Sequence, residues 1–128
     1  MRKIKLTIRI GRDPLVKEYK VSAYMTSVAG LVVHPEVEYD TVEDKFIIKR
    51  NSWAITQYPT GALVFGKIFT MTEAFDIVVQ DMAAFNWVGL TAEDAMVPND
   101  PQALQAMART VNEKIKKDRQ LQQQARSK

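Results

Sequence analysis

The chain of 128 residues contains no cysteine and a single histidine, His34. The first absence excludes disulfides, thiolate metal sites and cysteine nucleophiles. It fits a reducing compartment, so a cytoplasmic location is expected. With one histidine, a metal site would have to be built from carboxylates. Glu36, Glu38, Asp40, Glu43 and Asp44 lie nearby, but their spacing lacks the glycine and terminal glutamate of a calcium loop. A solvated acidic loop over 36–44 is the plainer reading, and no metal or cofactor is assigned. The five glycines are dispersed and form neither a GxGxxG fingerprint nor a P-loop. No serine is flanked by glycines, so a nucleophilic triad is not expected.

Long apolar runs are also missing. None approaches the ~20 residues that cross a bilayer. The opening MRKIKLTIRI combines basic and apolar residues, as export signals do. Here they alternate, which leaves no continuous apolar segment, so export is not expected. What remains is ordinary for one globular domain: 46% hydrophobic and 26% charged residues.

The net charge of +3 conceals a pattern. Residues 1–20 carry seven basic and two acidic side chains, and residues 114–128 carry six and one. The segment between carries five basic and twelve acidic. Basic ends around an acidic centre point to an anionic partner, or to self-association of opposite patches.

Periodicity supplies the fold. Over 3–10, Ile4, Leu6, Ile8 and Ile10 alternate with Lys3, Lys5, Thr7 and Arg9, the period of a half-buried strand. GRDP at 11–14 reads as a turn. The next strand starts near Val16, with Tyr19, Val21, Ala23 and Met25 on one face and Glu18, Lys20, Ser22 and Tyr24 on the other. After Ala29-Gly30 comes LVVH at 31–34. A strand over 46–49, a turn at 50–52, a strand over 53–58, a Pro-Thr-Gly turn and a strand over 62–68 follow. Short connections make neighbours antiparallel. TMTE at 70–73 is a capping-box signature, and Met71, Phe75, Val78, Met82 and Phe85 give the following helix an apolar stripe. A short helix is expected over 92–97. A last helix starts at Asp100-Pro101, with Leu104, Met107, Ala108, Val111 and Ile115 on its apolar face. The reading is an α+β domain over 1–113. It has an antiparallel meander of about five strands over 3–68, a packing helix over 71–86 and a C-terminal amphipathic helix. Residues 114–128 should form a basic, frayed extension.

One sheet face is expected under the 71–86 helix and the other open, with Lys3, Lys5, Arg9 and Lys20 on it and Lys49 as a further candidate. Cations on a strand face neutralise phosphates, and aromatics stack bases. Tyr24 shares the phase of Lys20; Trp53 and Tyr58 lie on opposite faces of their strand. The leading expectation is a non-enzymatic binder of single-stranded nucleic acid. Its contacts would be Lys3, Lys5, Arg9, Lys20, Tyr24 and Trp53, assisted by Lys114, Lys116, Lys117 and Arg119. The order of elements is similar in outline to small sheet-plus-helix single-strand binders of the Whirly kind. This is a likeness of architecture that carries over no functional residue.

The alternative is a protein–protein module (an inhibitor, adaptor or assembly factor), using the acidic 36–44 loop or the terminal helix. Compact chains of this type are common among phage and mobile-element accessory proteins. A homodimer through the 101–121 helix is a further expectation. A metal-dependent nuclease would need Asp13 with Glu18-Tyr19-Lys20, an aspartate followed by E-x-K. Period two puts Glu18 and Lys20 on one face, but the gap to Asp13 is short and E-x-K is common by chance. No catalytic residue is assigned.

Overall fold

A computed structural model describes residues 2–10, 17–58, 61–88 and 101–127. The expected 11–14 turn and 92–97 helix lie outside the described residues. The strands are β1 (Lys3–Ile10), β2 (Lys17–Met25), β3 (Leu31–Asp40), β4 (Lys45–Gln57) and β5 (Ala62–Ile68). They form one antiparallel sheet in sequence order, followed by helices, so the fold is the α+β meander expected. Helix α1 (Met71–Ile77) runs into a π turn (Val78–Met82), and α2 spans Pro101–Ser127.

Three boundaries differ from the sequence reading. The 36–44 segment is mostly strand: only residues 41–44 turn, and Asp40 closes that turn by accepting from Val42 N at 2.9 Å and Glu43 N at 3.2 Å. Residues 50–52 do not turn the chain but lie inside β4, where Asn51 takes a positive φ of 53°. The extension over 114–127 is helical, as the high helix propensity of Lys, Arg and Gln allows.

The packing helix is also not uniform. Thr70 caps α1, accepting from Glu73 N at 3.1 Å. α-Helical geometry then gives way to the π turn. Across this junction Ile77, Val78 and Met82 are buried, whereas Val79 stays exposed. Past it, Trp87 enters the core and is 1% exposed, the largest fully buried side chain. Its Nε1–H donates to Met82 O at 2.8 Å, and its own carbonyl accepts from Gln57 Nε2 at 2.7 Å. Gly30 lies directly against this backbone with φ +92°.

One register row crosses the whole sheet: Lys3, Tyr24, Val33, Ile55 and Phe65 are successive partners. Partners in a row share a face. This corrects the expectation that the lysines occupy the face opposite the helix. Val33, Ile55 and Phe65 form the main core with Ala74, Ile77, Val78, Met82, Trp87 and α2. The lysines share that face but stay exposed on β1 and β2, which contribute nothing to this core.

The opposite face holds a second core: Leu6, Val21, Ala23 and Val32, flanked by Ile4, Ile8, Tyr19 and Val37. Only two residue pairs join β2 to β3, Tyr24–Val33 and Met25–Val32. The β1–β2 hairpin then folds across this face, so that Tyr19 stacks on Phe46 of β4 with centroids 5.0 Å apart.

Two substitutions test the Trp87 anchor. A Cβ at Gly30 would meet Trp87 O at 2.4 Å. Gly30→Ala should therefore destabilise by about 2–4 kcal/mol, combining overlap with a strained φ. Trp87→Ala should cost about 3–5 kcal/mol. Urea unfolding midpoints measure both; a loss below about 1 kcal/mol in either would remove the anchor from the account.

Candidate nucleic-acid interface

The β1–β2 hairpin is amphipathic because both strands alternate in phase. Its inner residues fill the second core, which forces the polar set outward. Cross-strand partners on the outer face are Lys3 with Tyr24, Lys5 with Ser22, Thr7 with Lys20 and Arg9 with Glu18. Successive outward residues stand about 7 Å apart along a strand. Lys3, Lys5 and Lys20 are exposed, as is the adjoining Arg2. The Lys3 ammonium lies 5.4 Å from the Tyr24 ring centroid, a cation–π contact. Lys5 Nζ donates to Ser22 Oγ at 3.1 Å. Three exposed lysines and a half-buried tyrosine thus share one surface whose spacing the strand register holds. For Arg9 the structure gives the register position only.

The other expected contacts are elsewhere. Trp53 is half-buried against the main core, across from Ile68. Lys114 is paired with Asp81 at 2.8 Å. Arg119 bonds Lys67 O through Nε, and Asn51 O and Ser52 Oγ through Nη2 at 3.4 and 3.2 Å. Both therefore dock α2. Lys116 and Lys117 are exposed on α2, which packs beside β5, whereas β1 is the opposite edge in strand order. Lys49 pairs with Glu38 at 3.3 Å.

Arg119 reaches the sheet where its strands are irregular. Register shifts occur between Pro35 and Val37 and between Trp53 and Ile55, and Lys67 has φ 59°. Glu36, within the first shift, accepts from Ser52 Oγ at 3.1 Å and Lys67 N at 2.6 Å. Glu36, Ser52, Lys67 and Arg119 are thus one hydrogen-bonded group tying β3, β4, β5 and α2.

The features behind the alternative readings also have defined places. Glu43 pairs with Lys45 at 2.6 Å and Asp44 with Lys17 at 3.6 Å. Glu36 and Asp40 serve backbone groups, so the acidic segment is largely spent within the chain. The apolar face of α2 packs on this chain's own core through Leu104, Met107, Ala108, Val111 and Ile115. Of the nuclease pattern, Asp13 lies outside the described residues. Among the described residues, no group of three or more His, Asp or Glu could hold a metal. No described helix is long and apolar enough to cross a membrane.

His34 borders a cavity of about 130 Å³ with Ile8, Glu36, Thr56 and Leu63. Its ring is 2.7 Å from both Pro35 O (Nδ1) and Thr56 Oγ1 (Nε2). A carbonyl only accepts, so Nδ1–H donates to Pro35; in the neutral ring, which burial favours, Nε2 then accepts from the Thr56 hydroxyl. Both nitrogens are occupied. Burial holds His34 below its usual 6.5, against smaller upward pulls from the Pro35 carbonyl and Glu36. Trp87 and Gln57, which fix the helical layer, carried no distinctive sequence signal.

No protein-family model, no curated protein and no solved structure matches this chain.

His34 gives a pH prediction. Its depressed value means the unfolded chain binds a proton first as pH falls. The stability from neutral His34 is complete above about pH 6.5 and is lost as pH falls below it. The slope contributed is at most about 1.4 kcal/mol per pH unit. His34→Gln should remove it from denaturant titrations between about pH 7 and pH 5; equal slopes in both proteins would contradict the assignment.

Proposed function

We propose that the protein binds single-stranded nucleic acid through the outer face of the β1–β2 hairpin. The observation that carries this is the row of exposed Lys3, Lys5 and Lys20 beside Tyr24 on one register-fixed surface. Lysines on such a surface neutralise successive phosphates and release counterions. Lys3 holds a cation at the Tyr24 ring, so a phosphate at Lys3 brings its base to that ring for stacking. The core residues beneath keep the cations in place before binding, which lowers the ordering cost of association. Lys116 and Lys117 on α2 do not belong to this surface, and Lys114 and Arg119 serve the fold.

A second reading is favoured by the far end of the β3–β4 hairpin. Val42 is 92% exposed at its turn, with Ile47 and Ile48 exposed behind it. An apolar hairpin tip suits a protein partner.

Fluorescence anisotropy with labelled oligonucleotides separates the two. Single strands should bind more tightly than duplex, with affinity falling between about 50 and 200 mM salt. The triple variant Lys3→Ala, Lys5→Ala, Lys20→Ala should lower the log–log salt slope by about 2, since each single-strand phosphate contact contributes ~0.7. Tyr24→Ala should weaken binding by about 1–3 kcal/mol, and Tyr24→Phe by far less. An unchanged slope in the triple variant removes this face from the proposal. No binding of any oligonucleotide leaves the hairpin tip as the better reading.

A further inference from the structure

Between α1 and α2 lies a cavity of about 210 Å³ lined by Glu73, Asp76, Ile77, Lys114, Ile115 and Asp118, among others. Glu73, in the first turn of α1, and Asp118 of α2 bring their carboxyl groups together on its wall. The Asp118 Oδ2 is buried and has no hydrogen-bond partner. Asp76 adds a third carboxylate to the same wall.

The charges around this pair do not neutralise it. Lys114 is the one cation among the described residues lining the cavity, and both its bonds go to Asp81, at 3.0 and 2.8 Å. Arg119, beside Asp118 in sequence, turns to Lys67, Asn51 and Ser52. The strand residues packed in the core beneath α1, Leu31, Val33, Ile55, Phe65 and Ile68, are apolar. An ionised carboxylate only accepts, so two carboxyl groups can hydrogen-bond only while they share a proton. Doubly ionised, the pair repels across a partly dry interface.

We propose that Glu73 and Asp118 form a proton-shared latch holding the distal part of α2 to α1, and that the latch opens as the solution passes from acid to alkaline. Burial, then the Asp118 hydrogen bond and charge, then the Asp76 charge raise Glu73 from 4.5 to about 7. A carboxyl raised on folding adds stability that is complete below about 4.5 and is lost as pH rises through about 7. The opening therefore falls in the near-neutral range. It uncovers Ile77 and Ile115 and leaves α2 beyond Lys114 held by Arg119. The latch is independent of any role in nucleic-acid binding.

The test needs a local reading, because His34 gives global stability the opposite pH slope. Amide hydrogen exchange by mass spectrometry on the full chain, corrected for chemical exchange rates, supplies it at about pH 5.5 and pH 8.5. Protection over residues 112–124 should fall about tenfold or more at the higher pH relative to β4. Asp118→Asn supplies a permanent donor to the Glu73 carboxylate, so its protection over 112–124 should not change with pH. Glu73→Gln should behave alike and serves as the second variant. Equal wild-type protection at both pH values would overturn the latch. So would a fall in Asp118→Asn as large as in the wild type.

Discussion

Trp87 is the constraint on which the rest of the structure depends. An indole buries about 200 Å² on entering a core, worth about 5 kcal/mol before entropic costs. Here its polar edge is also satisfied. The ring N–H takes the carbonyl that ends the π turn, and the backbone carbonyl takes the Gln57 amide. A buried indole without a partner would lose much of that gain. Gly30 is required because Trp87 O occupies the space of a side chain there. These contacts join the loop after β2, the end of β4 and the end of the helical segment at one point. They set where the helical layer stops. Because it stops over β3–β5, the same sheet face is left uncovered on β1 and β2.

That division gives one register row two functions. From Phe65 through Ile55 to Val33 it is core, at Tyr24 it is half-buried, and at Lys3 it becomes exposed surface. The hairpin carries a basic outer face because its inner face supplies most of a second core. The strand register fixes the spacing of the proposed interface. The cost is a weak link between hairpin and sheet, two residue pairs in length, which the crossing of Tyr19 onto Phe46 reinforces.

Much of this was legible in the sequence, for reasons that can be named. Strict alternation placed β1 and grouped its lysines on one face, although not on the face that proved to be theirs; short connections gave the meander, and Thr70 marked the helix start. The stripe from Leu104 to Ile115 identified the buried face of α2. The strand over 37–40 also carried period two, with Val37 and Tyr39 against Glu38 and Asp40, but its acidity read as a loop. Asn51 reads as a turn residue and does take a positive φ, yet it serves an irregular point inside a long strand. Such points invert the alternation, so the faces of β3 and β4 could not be followed by parity alone. The helical tail has no apolar stripe, and what docks it is Arg119 on backbone carbonyls. The Glu73–Asp118 contact joins residues far apart in sequence through the relative placement of two helices, which no local pattern encodes.

The central claim is that the outer hairpin face is where a polyanion binds. Amide chemical-shift mapping of the labelled protein with a short single-stranded oligonucleotide tests it most directly. Saturable shifts should concentrate at Lys3, Lys5, Lys20, Ser22 and Tyr24, leaving α2 and the β3–β4 turn unmoved. Shifts centred on residues 114–124 or on Val42, with the hairpin silent, would contradict it.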